Sequence, residues 1–237
     1  MLWSERVPSL SGDLVTVREV VTCDAPSLFE LLTDPLVTEH ISTPPQSADA
    51  FAGFIRWAHS QRTAQKSLCF GIVPHGLDRA VGILQLRALE PTFFVGEWGF
   101  AVGTAFWSTG VFVEAANLVA EFAFTTLNVN RIEARATECN ARGQAALQKL
   151  GARPEASLSR AFRKENRCDT QLLWTLREED WRQRPLLQQQ RVSAAEASEQ
   201  IRRAVEQTRS LLAGLPRQEP PACTREHPFF ITGGDNR

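Results

Sequence analysis

Three small residues, Ser108, Thr109 and Gly110, stand between an alternating pattern at 94–102 and a long helical pattern that runs to residue 127. A strand followed by such a loop and a helix points several backbone N–H groups at one spot. The positive end of the helix dipole lies at the same place, and together they favour a bound phosphate group. The sequence therefore predicts a phosphate-binding loop at 106–111.

The elements that must position this loop follow from hydrophobic periodicity and capping signals. Alternation predicts strands over 14–20, 68–73, 80–89, 94–102, 129–137, 157–163 and 169–176. Asp24, Ser47 and Asn140 are typical helix N-caps, and Gly151 is typical of a helix end. The resulting order, β-α-α-β-β-β-α-β-α-β-β, indicates a mixed α/β sheet that ends near residue 177.

The chain divides into three parts by composition. Residues 1–182 form the predicted domain, 183–216 a helical appendage, and 217–237 a tail expected to be flexible because it is rich in Pro, Gly and charge. The appendage carries a narrow apolar stripe, which must pack on the domain or on a partner because so short a helix is unstable alone. The stripe consists of Ala197, Ile201, Ala204, Thr208, Leu211 and Leu215.

Composition excludes several classes of protein. A net charge of −1 over 237 residues gives no broad attraction to nucleic acid or anionic membrane. The N-terminus lacks the pattern of a signal peptide, and no run of 18 apolar residues occurs. Five cysteines without ligand-like spacing indicate free thiols in the cytoplasm and no metal site. Tyr is absent, which removes one common general acid.

Three local patterns occur in order and at matching spacing. They are EWGFAV at 97–102, FWSTGVFVEA at 106–115, and Asn140 followed by ALQKLG at 146–151. These patterns and the element order resemble the GCN5-related N-acetyltransferase (GNAT) superfamily. Within it they are most similar to the branch of RimJ/RimL-type ribosomal-protein N-terminal acetyltransferases. The resemblance covers residues 13–182.

The resemblance implies a GNAT-like, mostly antiparallel twisted sheet with helices on both faces, and acetyl-coenzyme A as cosubstrate. In this family the strand at 98–102 splays from the strand at 129–137, and its backbone pairs with the pantetheine arm. The pyrophosphate would bind at the loop, where Gly110 permits close approach. The implied cofactor-binding residues are Phe100, Ala101, Val102, Phe106, Trp107, Ser108, Thr109, Gly110, Val111 and Asn140.

The implied reaction is direct attack of a primary amine on the thioester, with a protein N-terminus or a small molecule as acceptor. Such a reaction needs two reactants in line, a proton acceptor and a stabilised oxyanion. Glu97 is the first candidate for the base and Glu138 the second, both by position. His40 is a candidate for lining the acceptor pocket. Cys139 as a nucleophile is the weaker interpretation, since no His is near it in sequence.

The chain departs from the family pattern at two positions. Ser108 stands where the family loop has a glycine, a replacement expected to be tolerated if its φ stays negative. Gly143 stands where this branch often has a serine that is a candidate acid. The alternative is therefore a catalytically degenerate acyl-coenzyme A-binding module with a regulatory or scaffold role. A homodimer through the C-terminal helix is a further possibility.

Overall fold

The computed structural model describes residues 2–164, 167–183 and 194–214. The strands are β1 (Leu10–Ser11), β2 (Val15–Glu19), β3 (Ser67–Pro74), β4 (Gly82–Ala88), β5 (Val95–Val102), β6 (Arg131–Thr137), β7 (Arg153–Lys164) and β8 (Arg167–Arg177). The helices are α1 (Ala25–Leu32), α2 (Pro35–Thr38), α3 (Ala48–Thr63), α4 (Val111–Thr125), α5 (Ala141–Lys149), α6 (Glu178–Gln183) and α7 (Ala194–Ala213).

The eight strands form one sheet in the order β1-β2-β3-β4-β5-β6-β8-β7. All neighbouring strands are antiparallel except β5 and β6, which are parallel and joined through α4. The mostly antiparallel, mixed sheet expected from the sequence is therefore confirmed. The short strand β1 and the short helices α2 and α6 were not predicted, because two to six residues carry too little periodicity.

The parallel ladder between β5 and β6 is short. It consists of four residue pairs, from Val95–Arg131 to Trp98–Ala134, although β5 continues to Val102 and β6 to Thr137. In the described sheet the two strands therefore part after the fourth pair. We call the opening between 99–102 of β5 and 135–137 of β6 the splay. It lies between the two strands for which the resemblance implies it.

Helices cover both faces of the sheet. On one face α4 buries Val111, Ala115 and Val119 against a core that includes Trp98 and Val102 of β5. On the other face α1 and α3 form a second core, which includes Ala101 of β5. Since successive residues of a strand point to opposite faces, β5 contributes alternately to both cores. We call the face under α1 and α3 the acceptor face.

The C-terminal helix α7 packs on its own domain. Ile201, Ala204 and Val205 are buried in the same core as α4, and Arg209 donates a 2.7 Å hydrogen bond to the carbonyl of Gly76 in the β3–β4 turn. Three residues of the predicted stripe, Ile201, Ala204 and Thr208, are therefore buried within the chain, whereas Leu211 is exposed. Leu215 and the predicted tail at 217–237 lie outside the described residues. No described helix is long and apolar enough to cross a membrane.

All three predicted N-cap residues directly precede a helix, and two of them form the side-chain capping bond. The Ser47 hydroxyl accepts from the Ala50 amide, and the Asn140 side chain accepts from the Gly143 amide at 2.8 Å. Asp24 behaves differently, because its carboxylate is buried and forms two hydrogen bonds with the Arg18 guanidinium. A buried carboxylate satisfied by arginine stabilises the packing of β2 on α1 rather than capping the helix.

Candidate active site

The loop that leaves β5 is fixed by its own side chains. After a 3-10 turn at Thr104–Phe106, the Trp107 indole N–H donates to the carbonyl of Val102 at 2.9 Å. The Thr109 hydroxyl is buried and donates to the carbonyl of Phe106 at 2.8 Å. These bonds leave Ser108 and Gly110 exposed at the N-terminus of α4, directly beside the end of β5.

Two residues of this loop adopt the left-handed conformation. Gly110 has φ +91°, as a glycine can without cost, and serves as the N-cap position of α4. Ser108 has φ +64°, so the condition under which the replacement was expected to be tolerated, a negative φ, is not met. Such a backbone costs a non-glycine residue on the order of 1 kcal/mol or more. The serine therefore keeps the loop shape of a glycine and carries the strain.

Replacing Ser108 by glycine is expected to raise the free energy of unfolding by about 1 kcal/mol, because glycine adopts this φ without strain. Chemical denaturation of the two proteins measures the change. Ser108→Ala is the matched control, since alanine also lacks the hydroxyl but retains the strain. An equal gain from both variants would show that the hydroxyl, and not the backbone, is responsible.

The two sides of the splay meet at its mouth through a cation–π contact. The guanidinium carbon of Arg142, from α5, lies 3.5 Å from the ring centroid of Trp107. Trp107 follows β5, and α5 follows β6, so this contact bridges the ends of the two diverging strands. A guanidinium beside the loop at the N-terminus of α4 adds positive charge where the sequence predicts a phosphate.

Asn140 and Gly143 fit each other at the start of α5. The Asn140 side-chain oxygen accepts from the Gly143 amide, and a Cβ added at Gly143 would lie 2.5 Å from the Asn140 side-chain nitrogen. A serine at 143 therefore requires the Asn140 side chain to move. Gly143, which stands where the family branch often has a serine, therefore leaves room for the Asn140 side chain to form its capping bond.

Glu97 is buried on the acceptor face just before the splay opens. Only 1% of its side chain is exposed, and it forms a salt bridge with Arg87 of β4. Its other oxygen lies 3.5 Å from the Arg135 Nε of β6. The carboxylate therefore links three neighbouring strands through two guanidinium groups. This geometry favours a structural role, and the catalytic role predicted for Glu97 stays a prediction.

Glu138 lies immediately after β6 with an exposed side chain, while its amide donates to the carbonyl of Thr170. Nothing in this arrangement tests the predicted catalytic role. Among the described residues, no three His, Cys, Asp or Glu side chains converge as a metal site would require. The four described cysteines, 23, 69, 139 and 168, are free thiols.

A polar cluster that periodicity did not reveal lies at the far end of β6. His40, in the segment after α2, places its Nδ1 3.2 Å from the Thr137 hydroxyl and 3.8 Å from the Cys139 Sγ. Burial lowers the pKa of His40 below its usual value, against the opposing effect of Glu39. Thr137 is the last residue of β6, so the cluster borders the splay.

The N-terminal segment is held to α4 by one carboxylate. Glu114 accepts hydrogen bonds from the amides of Asp13, Leu14 and Val15 at 2.7–2.9 Å. The sequence alone did not predict this contact, because Glu114 and the segment at 13–15 are about 100 residues apart. The sequence feature that accompanies this contact is Gly12, because a Cβ at residue 12 would lie 2.6 Å from the Glu114 carboxyl carbon.

In this structure β5 separates from its parallel neighbour β6, and α4 begins beside the opening. This arrangement indicates the family to which the protein belongs. The model of the acetyltransferase (GNAT) domain family matches residues 15–153, and the chain belongs to that family. The family makes it an acetyl-coenzyme A-dependent acyltransferase.

Individual relatives agree with this assignment. A protein named Uncharacterized N-acetyltransferase p20, from Bacillus licheniformis, is 26% identical over 128 residues, or 54% of this chain and 72% of that protein. The structure of Mycobacterium smegmatis RimJ in complex with CoA-disulfide has a TM-score of 0.66 and 20% identity over 75% of this chain and 90% of its own. Ribosomal-protein-S5-alanine acetyltransferase from Vibrio fischeri has a TM-score of 0.67 and 15% identity, covering 74% and 99%. These two structures share the fold of the chain, and the family match confirms the resemblance to the GNAT superfamily noted in the sequence.

Proposed function

We propose that the protein transfers an acetyl group from acetyl-coenzyme A to a primary amine by direct attack. The observation that carries the proposal is the splay, which ends beside the loop at 106–111 and the N-terminus of α4. An elongated thioester that carries a pyrophosphate needs an open strand edge for its extended arm and, next to it, a loop that binds the phosphates. Acetyl-coenzyme A as the donor follows from the family assignment. The class of acceptor and the mechanism are part of the proposal.

The residues present fit the donor. Gly110, in the left-handed conformation, is the N-cap position of α4, where helix amides lack partners within the helix, and Arg142 adds a cation nearby. Residues 100–102 of β5 lie beyond the last pair with β6, so this edge of the strand is available to an extended partner. Acetyl-coenzyme A supplies the activated acetyl group. The residues proposed to hold it are those predicted from the sequence, Phe100, Ala101, Val102, Phe106, Trp107, Ser108, Thr109, Gly110, Val111 and Asn140.

A protein N-terminus is the acceptor that the relatives favour, since one structural neighbour is named for the alanine of ribosomal protein S5. A small-molecule amine is the other candidate. The acceptor is proposed to enter from the acceptor face. The end of α2 contacts the end of β7 through a hydrogen bond from Lys164 to the Thr38 carbonyl. Catalytic roles for Glu97 and Glu138 remain part of the proposal.

Release of coenzyme A thiol in the presence of amine acceptors tests the proposal. The purified protein is incubated with acetyl-coenzyme A and either peptides with free N-terminal alanine or serine, their N-acetylated counterparts, or small amines. We expect thiol release with at least one free amine and none with the blocked peptides. Tight binding of acetyl-coenzyme A without release for any acceptor would instead support the non-catalytic binding module.

Two further expectations stay open. A homodimer through α7 cannot use Ile201, Ala204 and Val205 while these pack on their own domain, so a dimer would need another face of the helix. A cytoplasmic location, predicted from the cysteines, also remains a proposal.

A further inference from the structure

We propose that His40 is the general base that takes the proton from the acceptor amine. The inference rests on the proposed acetyl transfer and assigns a residue to its proton step. Three observations carry it: the position of His40 beside the splay, the hydrogen bond that orients its ring, and the engagement of Glu97 elsewhere.

The position of His40 follows from the strand register. Glu97 pairs with Glu133, so continuing the parallel register by four residues puts Thr137 at the level of Ala101. This is the part of β5 that has lost its pairing with β6. Because His40 contacts Thr137, its imidazole lies at the level where the splay is open, on the acceptor face.

The contacts of the ring determine which nitrogen can act. Nδ1 lies 3.2 Å from the Thr137 hydroxyl, and Thr137 itself is buried and held in β6. When Nδ1 carries the proton and donates it to Thr137, Nε2 keeps its lone pair. Nε2 lies 3.8 Å from the exposed Glu39 carboxylate, too far for a hydrogen bond, and 19% of the side chain is exposed. A base oriented by a third group is the usual arrangement for such a role.

The surroundings keep the imidazole neutral near pH 7. Burial lowers the pKa of His40, and Arg167 of β8 and Arg142 of α5 act in the same direction. Glu39, on the same segment, and Asp169 of β8 oppose them. The Cys139 thiol is the remaining titratable group in contact with the ring. Below its lowered pKa the imidazole is protonated and unable to accept, so activity should fall as the solution becomes acidic.

Glu97, the carboxylate first considered for this role, is committed to two guanidiniums below the opening. His40 has no such charged partner within hydrogen-bond distance among the described residues. In the transfer, the amine nitrogen forms a bond to the acetyl carbon as the C–S bond breaks. The amine proton passes to His40 Nε2 and then to solvent, and the departing coenzyme A thiolate takes a proton from solvent.

Substitution of His40 with glutamine tests the assignment. We expect kcat to fall about 100-fold, within the range for loss of a general base, with little change in KM for acetyl-coenzyme A. The acidic limb of the kcat–pH profile should disappear in the variant. His75→Gln, in the exposed turn after β3, is the matched control and should keep both kcat and the limb.

A second variant separates chemistry from folding. His40→Ala should regain activity when imidazole is added, in proportion to its concentration, and His75→Ala should not respond. A His40→Gln protein that keeps kcat within about threefold and retains the acidic limb would overturn the assignment while leaving acetyl transfer intact. Loss of activity in a folded His40→Ala protein without imidazole rescue would show a merely structural role. A wild-type protein that releases no thiol with any amine would overturn acetyl transfer itself, and the assignment with it.

Discussion

Replacement of Glu97 by glutamine is expected to lower the free energy of unfolding by about 3 kcal/mol, because it leaves two guanidiniums without their buried counter-charge. Glu97 is almost completely buried, whereas Arg87 and Arg135 are 29% and 30% exposed at their side chains. Water can partly solvate the arginines, which places the loss at the lower end for a broken buried ion pair. Chemical denaturation at neutral pH measures it.

Glu133 provides the matched control, since it is the residue paired with Glu97 in the β5–β6 ladder. Its partner Arg131 also forms a salt bridge with Glu155, so Arg131 keeps one carboxylate partner in the Glu133→Gln variant. We expect this variant to lose less than about 1 kcal/mol. If Glu97→Gln is as stable as wild type but inactive, the carboxylate is catalytic rather than structural.

Replacement of Glu114 by glutamine is expected to cost about 2 kcal/mol, because one of its oxygens becomes an NH₂ group facing backbone donors. The carboxylate accepts from three consecutive amides at 13–15, and an amide group cannot satisfy all three. Leu14 in this segment borders Gly110, with its Cδ1 3.4 Å from the position of an added Cβ. Loosening the segment should therefore also disturb the cofactor loop.

Hydrogen exchange distinguishes this effect from a general loss of helix stability. On replacing Glu114 by Gln, hydrogen exchange should speed up more at the amides of residues 13–15 than at the remaining amides of β2. Glu121→Gln, at an exposed position of the same helix, should change the free energy of unfolding by less than about 0.5 kcal/mol and leave those amides protected. Unchanged exchange at 13–15 in the Glu114 variant would contradict the proposed role of the carboxylate.

Most of the framework was predictable because its signals are local. The Ser47 and Asn140 caps and the left-handed Gly151 each depend on residues within four positions of one another. The strands of the central sheet alternate regularly enough to be recognised, and their order specifies a fold in which one parallel pair is flanked by antiparallel ones. The motif at 97–115 then indicated where a cofactor would bind.

The chemistry around the splay was less predictable because its contacts are distant in sequence. His40 and Thr137 are 97 residues apart, and Glu114 is 101 residues from Asp13. Arg87 and Arg135 reach Glu97 only because β4 and β6 flank β5. The positive φ of Ser108 could not be predicted for a related reason, since the surrounding fold imposes a glycine-like loop on a residue that disfavours it.

The short β5–β6 ladder gives the molecule a mechanical property. Two contiguous stretches of chain, 10–102 and 131–177, build the two halves of the sheet, and the backbone ladder between them has only four residue pairs. Their tips, Val102 and Thr137, extend three or four residues past the last pair, a lever arm of roughly 10–13 Å. The Trp107–Arg142 contact joins these tips, and an exposed cation–π pair is worth only about 0.5–1 kcal/mol. A bound molecule that spans the splay would therefore add contacts between the two halves of the sheet at the end where their backbones are not paired.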